Sequence, residues 1–144
     1  MTNNSLVPRM GLILVISTLA ACSSLIAAYS QTAYEQATSI KAESLVLMNK
    51  ATEPYTQHAQ EVAALMLSVD KAYEYAKGRP KNEISTEQWA RIRDPDRNLL
   101  GGFVKRWKEQ GQLSPVFVRE AGAQIAVAFD QIIELESGKN KERR

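Results

Sequence analysis

Apolar and small residues recur at alternating steps of three and four along most of this chain, which is the spacing of one face of an α-helix. The first clear series consists mostly of small residues: Ala33, Ala37, Ile40, Ser44, Leu47 and Ala51. No glycine or proline interrupts residues 25–51, so the pattern predicts a long first helix over this range. Because small side chains bury little area, we expect this helix to need packing partners along its length.

A break follows at Thr52-Glu53-Pro54, because proline is tolerated in the first turn of a helix but not in its interior. The same spacing resumes from Tyr55 to Ala76, and Gly78 is typical of the end of a helix. The spacing is continuous across Pro54. The pattern therefore predicts either one kinked helix over residues 25–77 or a helical hairpin, and both interpretations stay open.

Turn signals divide the middle of the chain into two shorter helices. Residues 78–82 form a polar loop with two helix breakers. Ser85 and Gln88 then have the spacing of a capping box, which predicts the start of a short helix. Asp94-Pro95 precedes a further helix, which we expect to end at Gly111.

The last helix opens at Ser114-Pro115, and its apolar face carries larger side chains than the first: Val118, Ala121, Ile125, Ala128, Phe129, Ile132 and Leu135. We expect it at the centre of the core, with Phe103 and Trp107 packed on it and Gly138 beyond its end. No alternating run of β-branched residues indicates a strand. The predicted fold is all-α, a small bundle of about four or five helices with a long N-terminal helix or helical hairpin.

Gly101-Gly102 lies inside the predicted fourth helix, where each glycine costs about 1 kcal/mol relative to alanine. A phosphate-binding loop is not indicated, because the Gly-x-x-x-x-Gly-Lys pattern and a preceding strand are both missing. We interpret the pair as a site of close helix approach or of a break beside Phe103.

The N-terminal run has the layout of an export signal. Residues 1–10 contain one basic residue, Arg9, and no acid, and residues 11–20 are apolar except for Ser17 and Thr18. Small residues then precede Cys22, the only cysteine of the chain. This order of basic, apolar and small-residue regions is typical of secreted precursors.

Leu19-Ala20-Ala21-Cys22 resembles the lipobox of bacterial lipoproteins, position by position. The resemblance implies that residues 1–21 are a signal peptide and that Cys22 is acylated. The helical spacing predicts that residues 22–138 form a helical domain, and we expect the basic tail, 139–144, to be a solvated, frayed end. The resemblance also implies a cell-envelope protein anchored on the non-cytoplasmic side of a membrane. Ser23 after the cysteine implies the outer membrane, facing the periplasm, in a Gram-negative cell.

An uncleaved membrane anchor is the alternative, since residues 10–34 are uncharged and roughly 20 apolar residues suffice to cross a bilayer. Arg9 favours the cytoplasmic side for the N-terminus in both cases. Either interpretation places the helical body outside the cytoplasm.

Charge limits the possible partners. Without residues 1–21 the chain carries 17 basic and 16 acidic residues, a balance that gives no reason to expect nucleic acid. Residues 78–111 are more basic than the rest, with 8 basic and 5 acidic groups. Their basic side chains either pair with acids or, with nearby aromatic residues, form a surface for lipid or another ligand; the possible contacts are Phe103, Arg97, Lys105, Trp107 and Lys108.

No set of residues indicates catalysis. His58 is the only histidine and lies at the edge of a helix seam, where Glu61 one turn later can pair with it. A nucleophile with its base and orienting group is not recognisable, and neither a metal site nor a cofactor site is indicated. We therefore expect a protein that is not an enzyme.

Two functional hypotheses follow. The first is a non-enzymatic interaction or accessory module of the cell envelope, anchored through Cys22 and with a possible envelope protein as partner. The second is a ligand-binding or sensory envelope protein with a pocket between the last two helices, lined by Phe103, Trp107, Ile125 and Phe129.

Overall fold

The computed structural model describes residues 25–139, which form a bundle of α-helices without a strand in that range. The helices are α1 (Gln31–Met48), α2 (Tyr55–Lys77), α3 (Glu83–Arg93), α4 (Leu100–Gln110) and α5 (Pro115–Gly138), with a short 3₁₀ turn (Asn49–Thr52) after α1. The predicted all-α bundle of four or five helices is confirmed.

Helices α1 and α2 form an antiparallel hairpin, so the structure decides between the two alternatives for residues 25–77. The start of α1 lies beside the end of α2, where Ser30 Oγ and Tyr75 Oη are 2.9 Å apart. The chain reverses through the 3₁₀ turn and Pro54, which precedes the first residue of α2. Pro54 therefore separates two helices and does not kink a single one.

The first helix is shorter than predicted, because it begins at Gln31 and not at Leu25. Ser30 is extended and caps α1, its hydroxyl accepting a hydrogen bond from the backbone N–H of Ala33 at 3.2 Å. The residues before Ser30 have no helical structure in the described chain from position 25 onward. Their backbone instead hydrogen-bonds to the loop between α2 and α3, as described below.

The small-residue face of α1 packs against other helices of the same chain. The buried residues of α1 reproduce the predicted seam, from Ala33 through Ile40 to Leu47. Helices α2 and α5 both pack against α1. Lys41 of α1 and Asp130 of α5 add a salt bridge across this contact. The expected need for packing partners is therefore met without another protein.

Helix α5 supplies large core side chains, as predicted: Ile125, Phe129 and Ile132 are almost completely buried. Phe103 stacks on Phe117 of α5 at a ring distance of 6.0 Å. Trp107 is buried as well, and its ring contacts include Tyr55 and His58 of α2, which the sequence did not predict. Gly138 is the last residue of α5 and does not lie beyond it.

The end of α4 and the start of α5 agree with the sequence signals, whereas the start of α3 does not. Ser114 caps α5, with its hydroxyl accepting from Phe117 N–H, and Pro115 is the first helical residue. Gly111 ends α4 with φ at +79°, a conformation that glycine adopts without steric cost. The predicted capping box at Ser85 is wrong, because α3 already begins at Glu83 and Ser85 is buried.

Gly101 and Gly102 allow the loop between α3 and α4 to approach the start of α4. A Cβ atom on Gly101 would lie 2.3 Å from the carbonyl oxygen of Arg93, and one on Gly102 would lie 1.8 Å from that of Arg97. Both neighbours are backbone, which cannot move aside like a flexible side chain. The interpretation of these glycines as a close approach is therefore confirmed.

We expect Gly101→Ala to lower the free energy of unfolding by about 2 to 3 kcal/mol, because the new methyl group overlaps backbone atoms. Gly122→Ala in α5 is the matched control, since nothing lies within 4 Å of a Cβ there. The control should raise the free energy of unfolding, by up to about 1 kcal/mol, through helix propensity. Urea unfolding measures both. A change of the same sign in the free energy of unfolding of the two variants would contradict the close approach.

Candidate functional site

A buried polar network joins the end of α5 to the start of α3. The Lys139 ammonium donates to Glu136 Oε1 at 2.6 Å, to Asn82 Oδ1 at 2.6 Å and to Ser85 Oγ at 2.9 Å. Ser85 donates to the same carboxylate at 2.6 Å, and Arg79 donates to the other oxygen, Oε2, at 3.2 Å. We call Arg79, Asn82, Ser85, Glu136 and Lys139 the polar network.

Two charged side chains of this network, Glu136 and Lys139, are buried. Only 1% of Glu136 and 4% of Lys139 is exposed. Burial lowers the pKa of Lys139 from its ordinary value, and the hydrogen bond to Glu136 opposes that shift. Three donors surround the carboxylate, so the network satisfies a buried charge that would otherwise be costly.

The small cavity beside the network has a volume of about 40 Å³, close to the space of one water molecule. It is too small for an organic ligand. The arrangement therefore stabilises the fold, and it does not present the network to a substrate.

The network also fixes the chain that leads from Cys22. Arg79 donates to the carbonyl of Ala28, and the N–H of Ala27 donates to the carbonyl of Lys81 at 2.7 Å. Lys81 has a left-handed backbone conformation with φ at +59°. Ala27 is five positions after Cys22, so the chain between their Cα atoms can extend over at most about 18 Å. The body is therefore held close to any anchor at Cys22.

Sequence reasoning missed this network, and the expectation that the tail from Lys139 onward is solvated is wrong for Lys139 itself. A signal was present, because Glu136 and Lys139 continue the spacing of Ile125, Phe129 and Ile132 in steps of four and three. Charged residues at seam positions can be buried when they pair with each other. Residues 140–144 lie outside the described residues.

A second polar cluster surrounds His58 at the opposite end of the hairpin. The imidazole Nε2 lies 2.7 Å from Glu53 Oε2 and Nδ1 lies 3.1 Å from Glu61 Oε1, while Glu61 also accepts from Lys50 at 2.6 Å. The hydrogen bonds to Glu61 and, second, to Glu53 raise the pKa of His58 above 6.5. Trp107 packs on the ring. The predicted pairing of His58 with Glu61 is confirmed.

The predicted aromatic contact residues are core residues. Trp107 is completely buried, and its indole N–H donates to the backbone carbonyl of Glu53 at 3.0 Å. Phe103 is 3% exposed. Neither ring is part of an open aromatic surface, and the pattern could not show this because a tryptophan suits either setting.

The predicted basic contact residues lie on the surface, and two of them pair with acids close in sequence. Arg97 lies 3.6 Å from Asp94, and Lys105 lies 2.8 Å from Asp96. Lys108 is exposed on α4. These ion pairs agree with the interpretation that the basic middle segment is largely balanced by neighbouring acids.

A groove of about 570 Å³ lies between α4, α5 and the loop before α4. Phe103 and Ile125 line it, as predicted for a pocket between the last helices, whereas Trp107 and Phe129 are buried elsewhere in the core. Its other lining residues include charges of both signs, uncharged polar groups and apolar side chains, among them Asp96, Arg97, Asn98, Leu99, Lys105, Arg106, Glu109, Phe117, Glu120 and Gln124. The groove suits a ligand with apolar and charged parts.

The membrane signals of the sequence fall outside the described residues. Leu19-Ala20-Ala21-Cys22 precedes position 25, as does most of the uncharged run that could form an uncleaved anchor. Among the helices from 31 to 138, none is long and apolar enough to span a bilayer. The same part of the chain contains no group of three His, Cys, Asp or Glu residues arranged to hold a metal ion.

Comparison of the chain with protein-family models, with curated proteins and with solved structures yields no match.

We expect Glu136→Gln to lower the free energy of unfolding by about 3 kcal/mol, because it removes the negative charge from a buried site and leaves Lys139 and Arg79 without an ionic partner. Glu134→Gln, an exposed glutamate of the same helix, is the control and should change it by less than about 0.5 kcal/mol. Chemical denaturation followed by circular dichroism measures both. Equal stability of the two variants would show that the network contributes nothing.

We expect Glu61→Gln to lower the pKa of His58 more than Glu53→Gln does, because the hydrogen bond to Glu61 is the largest cause of its rise. Proton NMR can follow the titration directly, since His58 is the only histidine. A larger effect of Glu53→Gln would contradict the assignment.

The same pKa shift makes stability depend on pH. Because the folded state binds the His58 proton more tightly than the unfolded state, the contribution of His58 to the free energy of unfolding is complete below pH 6.5. It is lost as the pH rises through the raised pKa. The stability difference between the native chain and His58→Gln should therefore shrink from pH 6 to pH 9 in urea unfolding.

Proposed function

We propose that this protein is a membrane-anchored, non-enzymatic module of the bacterial cell envelope. Acyl chains on Cys22 attach it, and it acts by contact with other envelope components. The lipobox Leu19-Ala20-Ala21-Cys22 at the end of a signal-like run is the basis for the anchor. Ser23 favours the periplasmic face of the outer membrane in a Gram-negative cell.

The observation that carries this proposal is the fixed attachment of the entering chain to the body. Ala27 and Ala28 hydrogen-bond to the loop after α2, only five and six positions after Cys22. A long flexible tether between anchor and body is therefore missing from this chain. Such a short connection suits a protein that acts at the membrane surface, because it holds the body within about 18 Å of the lipid.

The setting of His58 supports a structural and not a catalytic role for the only histidine. Carboxylates of Glu53 and Glu61 flank both ring nitrogens. A ring that hydrogen-bonds on both sides favours the protonated form, which cannot act as a general base. This arrangement stabilises the turn between α1 and α2 and supports a function in binding.

The groove between α4 and α5 favours a second candidate, a ligand-binding or sensory function. Its volume of about 570 Å³ falls within the usual range for small-molecule sites, about 300 to 1,000 Å³. Phe117, which stacks on the buried Phe103, supplies aromatic surface and Lys105 supplies positive charge. Helices α2 and α5 cover the apolar face of α1. An envelope protein partner therefore has to bind another surface that is exposed, such as this groove.

Acylation at Cys22 can be tested in bacterial cells that express the full chain with an alkyne fatty acid in the medium. We expect the native chain and the control Ser24→Ala to incorporate the label, and Cys22→Ser to incorporate none. The expected N-terminal peptide of the native protein starts at Cys22 and carries the mass of a diacylglyceryl group.

An unlabelled chain that keeps an intact peptide from Met1 to Arg9 would contradict the lipid anchor. The uncleaved membrane-span alternative accounts for that result. In that case Cys22→Ser should stay in the membrane fraction after carbonate washing.

A further inference from the structure

The groove between α4 and α5 holds an arginine that is fixed before any ligand binds. The guanidinium carbon of Arg106 lies 4.7 Å from the ring centre of Phe117, on the first turn of α5. The ring of Phe117 is itself fixed, because it stacks on the buried Phe103 with the ring centres 6.0 Å apart. A guanidinium that lies over an aromatic ring keeps its N–H donors at the edge of its plane. Arg106 therefore presents ordered donors, which lose little side-chain freedom on binding.

Arg106 has no acidic partner in the described part of the chain, whereas the other basic residues of the groove each have one. Lys105 lies 2.8 Å from Asp96, and Arg97 lies 3.6 Å from Asp94. The guanidinium of Arg106 forms neither an ion pair nor a hydrogen bond with any described residue. Arg106 is therefore the basic group of the groove that is available to a carboxylate of a ligand.

Two acidic residues of the groove are available as well. Glu109 lies about one turn after Arg106 on α4, and Glu120 lies about one turn after Phe117 on α5. Both side chains are exposed. Neither carboxylate forms an ion pair or a hydrogen bond within the described chain, and Glu109 affects Lys105 only through space. The groove thus combines a positive group and negative groups that lack partners of opposite charge.

The groove also has an apolar part. Leu99 precedes α4, and Ala121 and Ile125 lie one turn apart on α5. Ile125 is only 1% exposed, so it forms part of the floor. Asn98 and Gln124 add exposed amide groups, each of which can donate and accept hydrogen bonds. A ligand that fills this space therefore needs an apolar part and groups that match amides.

We propose that the groove binds a short peptide that carries a carboxylate, an ammonium group and an apolar side chain. The carboxylate of the peptide accepts hydrogen bonds from Arg106, and its ammonium group donates to Glu109 or Glu120. The apolar side chain packs on Leu99 and Ile125. This proposal rests on the ligand-binding candidate for the same groove and adds the class of the ligand.

A ligand with charge of one sign fits this groove poorly. An anion would pair with Arg106 but would also meet Glu109 and Glu120, and a cation would meet Arg106. Like charges brought together are unfavourable, whereas matched opposite charges favour one orientation. A peptide with free ends carries both charges, and its backbone amides match the side-chain amides of Asn98 and Gln124. The volume of about 570 Å³ suits a peptide of a few residues.

Tripeptides with alanine at both ends and leucine, isoleucine or phenylalanine at the centre are suitable probes. Isothermal titration calorimetry measures their binding to the full chain in detergent micelles. The tightest binder is then compared with its N-acetylated form, its C-amidated form and the form with both blocks. We expect each single block to weaken binding roughly tenfold or more, because it removes one charge-assisted hydrogen bond. Free leucine, which has both charges but no peptide bond, should bind more weakly than the tripeptide.

Substitutions in the groove assign each end of the peptide. Arg106→Gln should weaken binding of the free-ended tripeptide roughly tenfold and make C-terminal amidation ineffective. Changing Glu109 and Glu120 together to glutamine should have the corresponding effect on N-terminal acetylation. Lys108→Gln is the matched control for charge and should leave binding unchanged, since Lys108 is exposed on α4 and does not line the groove.

Filling the groove tests the location of binding. Gln124→Trp places a large side chain in the groove and should abolish binding. Gln131→Trp is the matched control and should leave binding unchanged, because Gln131 is exposed on the same helix but does not line the groove. Circular dichroism of each variant checks that the helices are retained.

Absence of binding by all three tripeptides overturns the inference, and so does tighter binding of free leucine. Equal binding of the free and blocked forms, abolished by Gln124→Trp, leaves the groove as a ligand site and overturns only the ligand class. Binding that Gln124→Trp does not affect contradicts the groove as a ligand site altogether. Acylation of Cys22 is measured independently, so none of these results bears on the proposed membrane anchor.

Discussion

The buried ion pair between Glu136 and Lys139 is the contact on which the arrangement of this bundle most depends. A lone buried charge is strongly unfavourable, so each of the two requires the other and the donors around them. Those donors come from the loop after α2 and the start of α3, through Arg79 and Ser85. Arg79 also holds the backbone of Ala28. One pair of charges thereby brings the start of the body, the α2–α3 loop and the end of α5 to one place.

The opposite end of the bundle is held by a different kind of contact. There Trp107 of α4 packs against Tyr55 and His58 of α2, and its indole N–H reaches the carbonyl of Glu53. Leu113 N–H donates to the carbonyl of Ala51 at 2.8 Å, which fixes the loop before α5 to the turn after α1. The hairpin of α1 and α2 is thus held at both ends. The polar network, which we call the charged clamp, holds one end, and the packing of Trp107 on Tyr55 and His58, which we call the aromatic clamp, holds the other.

These two clamps separate the possible functional surfaces. The charged clamp lies beside the proposed anchor and leaves Leu25 and Ile84 exposed, whereas the groove lined by Phe103 and Phe117 opens nearer the aromatic clamp. The groove therefore lies away from the end of the bundle at which the chain enters from Cys22.

The sequence pattern is sufficient for features that depend on neighbouring residues alone: the all-α pattern, the Ser114-Pro115 start of α5 and the Gly111 end of α4. At Gly101-Gly102 it left a close approach and a break both open, and the structure shows the close approach. The lipobox prediction is equally local, and it falls before the described residues. Tertiary contacts, and not the spacing of residues, determine that residues 25–77 fold back as a hairpin, that Lys139 is buried, and that Trp107 packs on α2. Burial of a side chain depends on which distant element covers it, and spacing along one helix carries no information about that element.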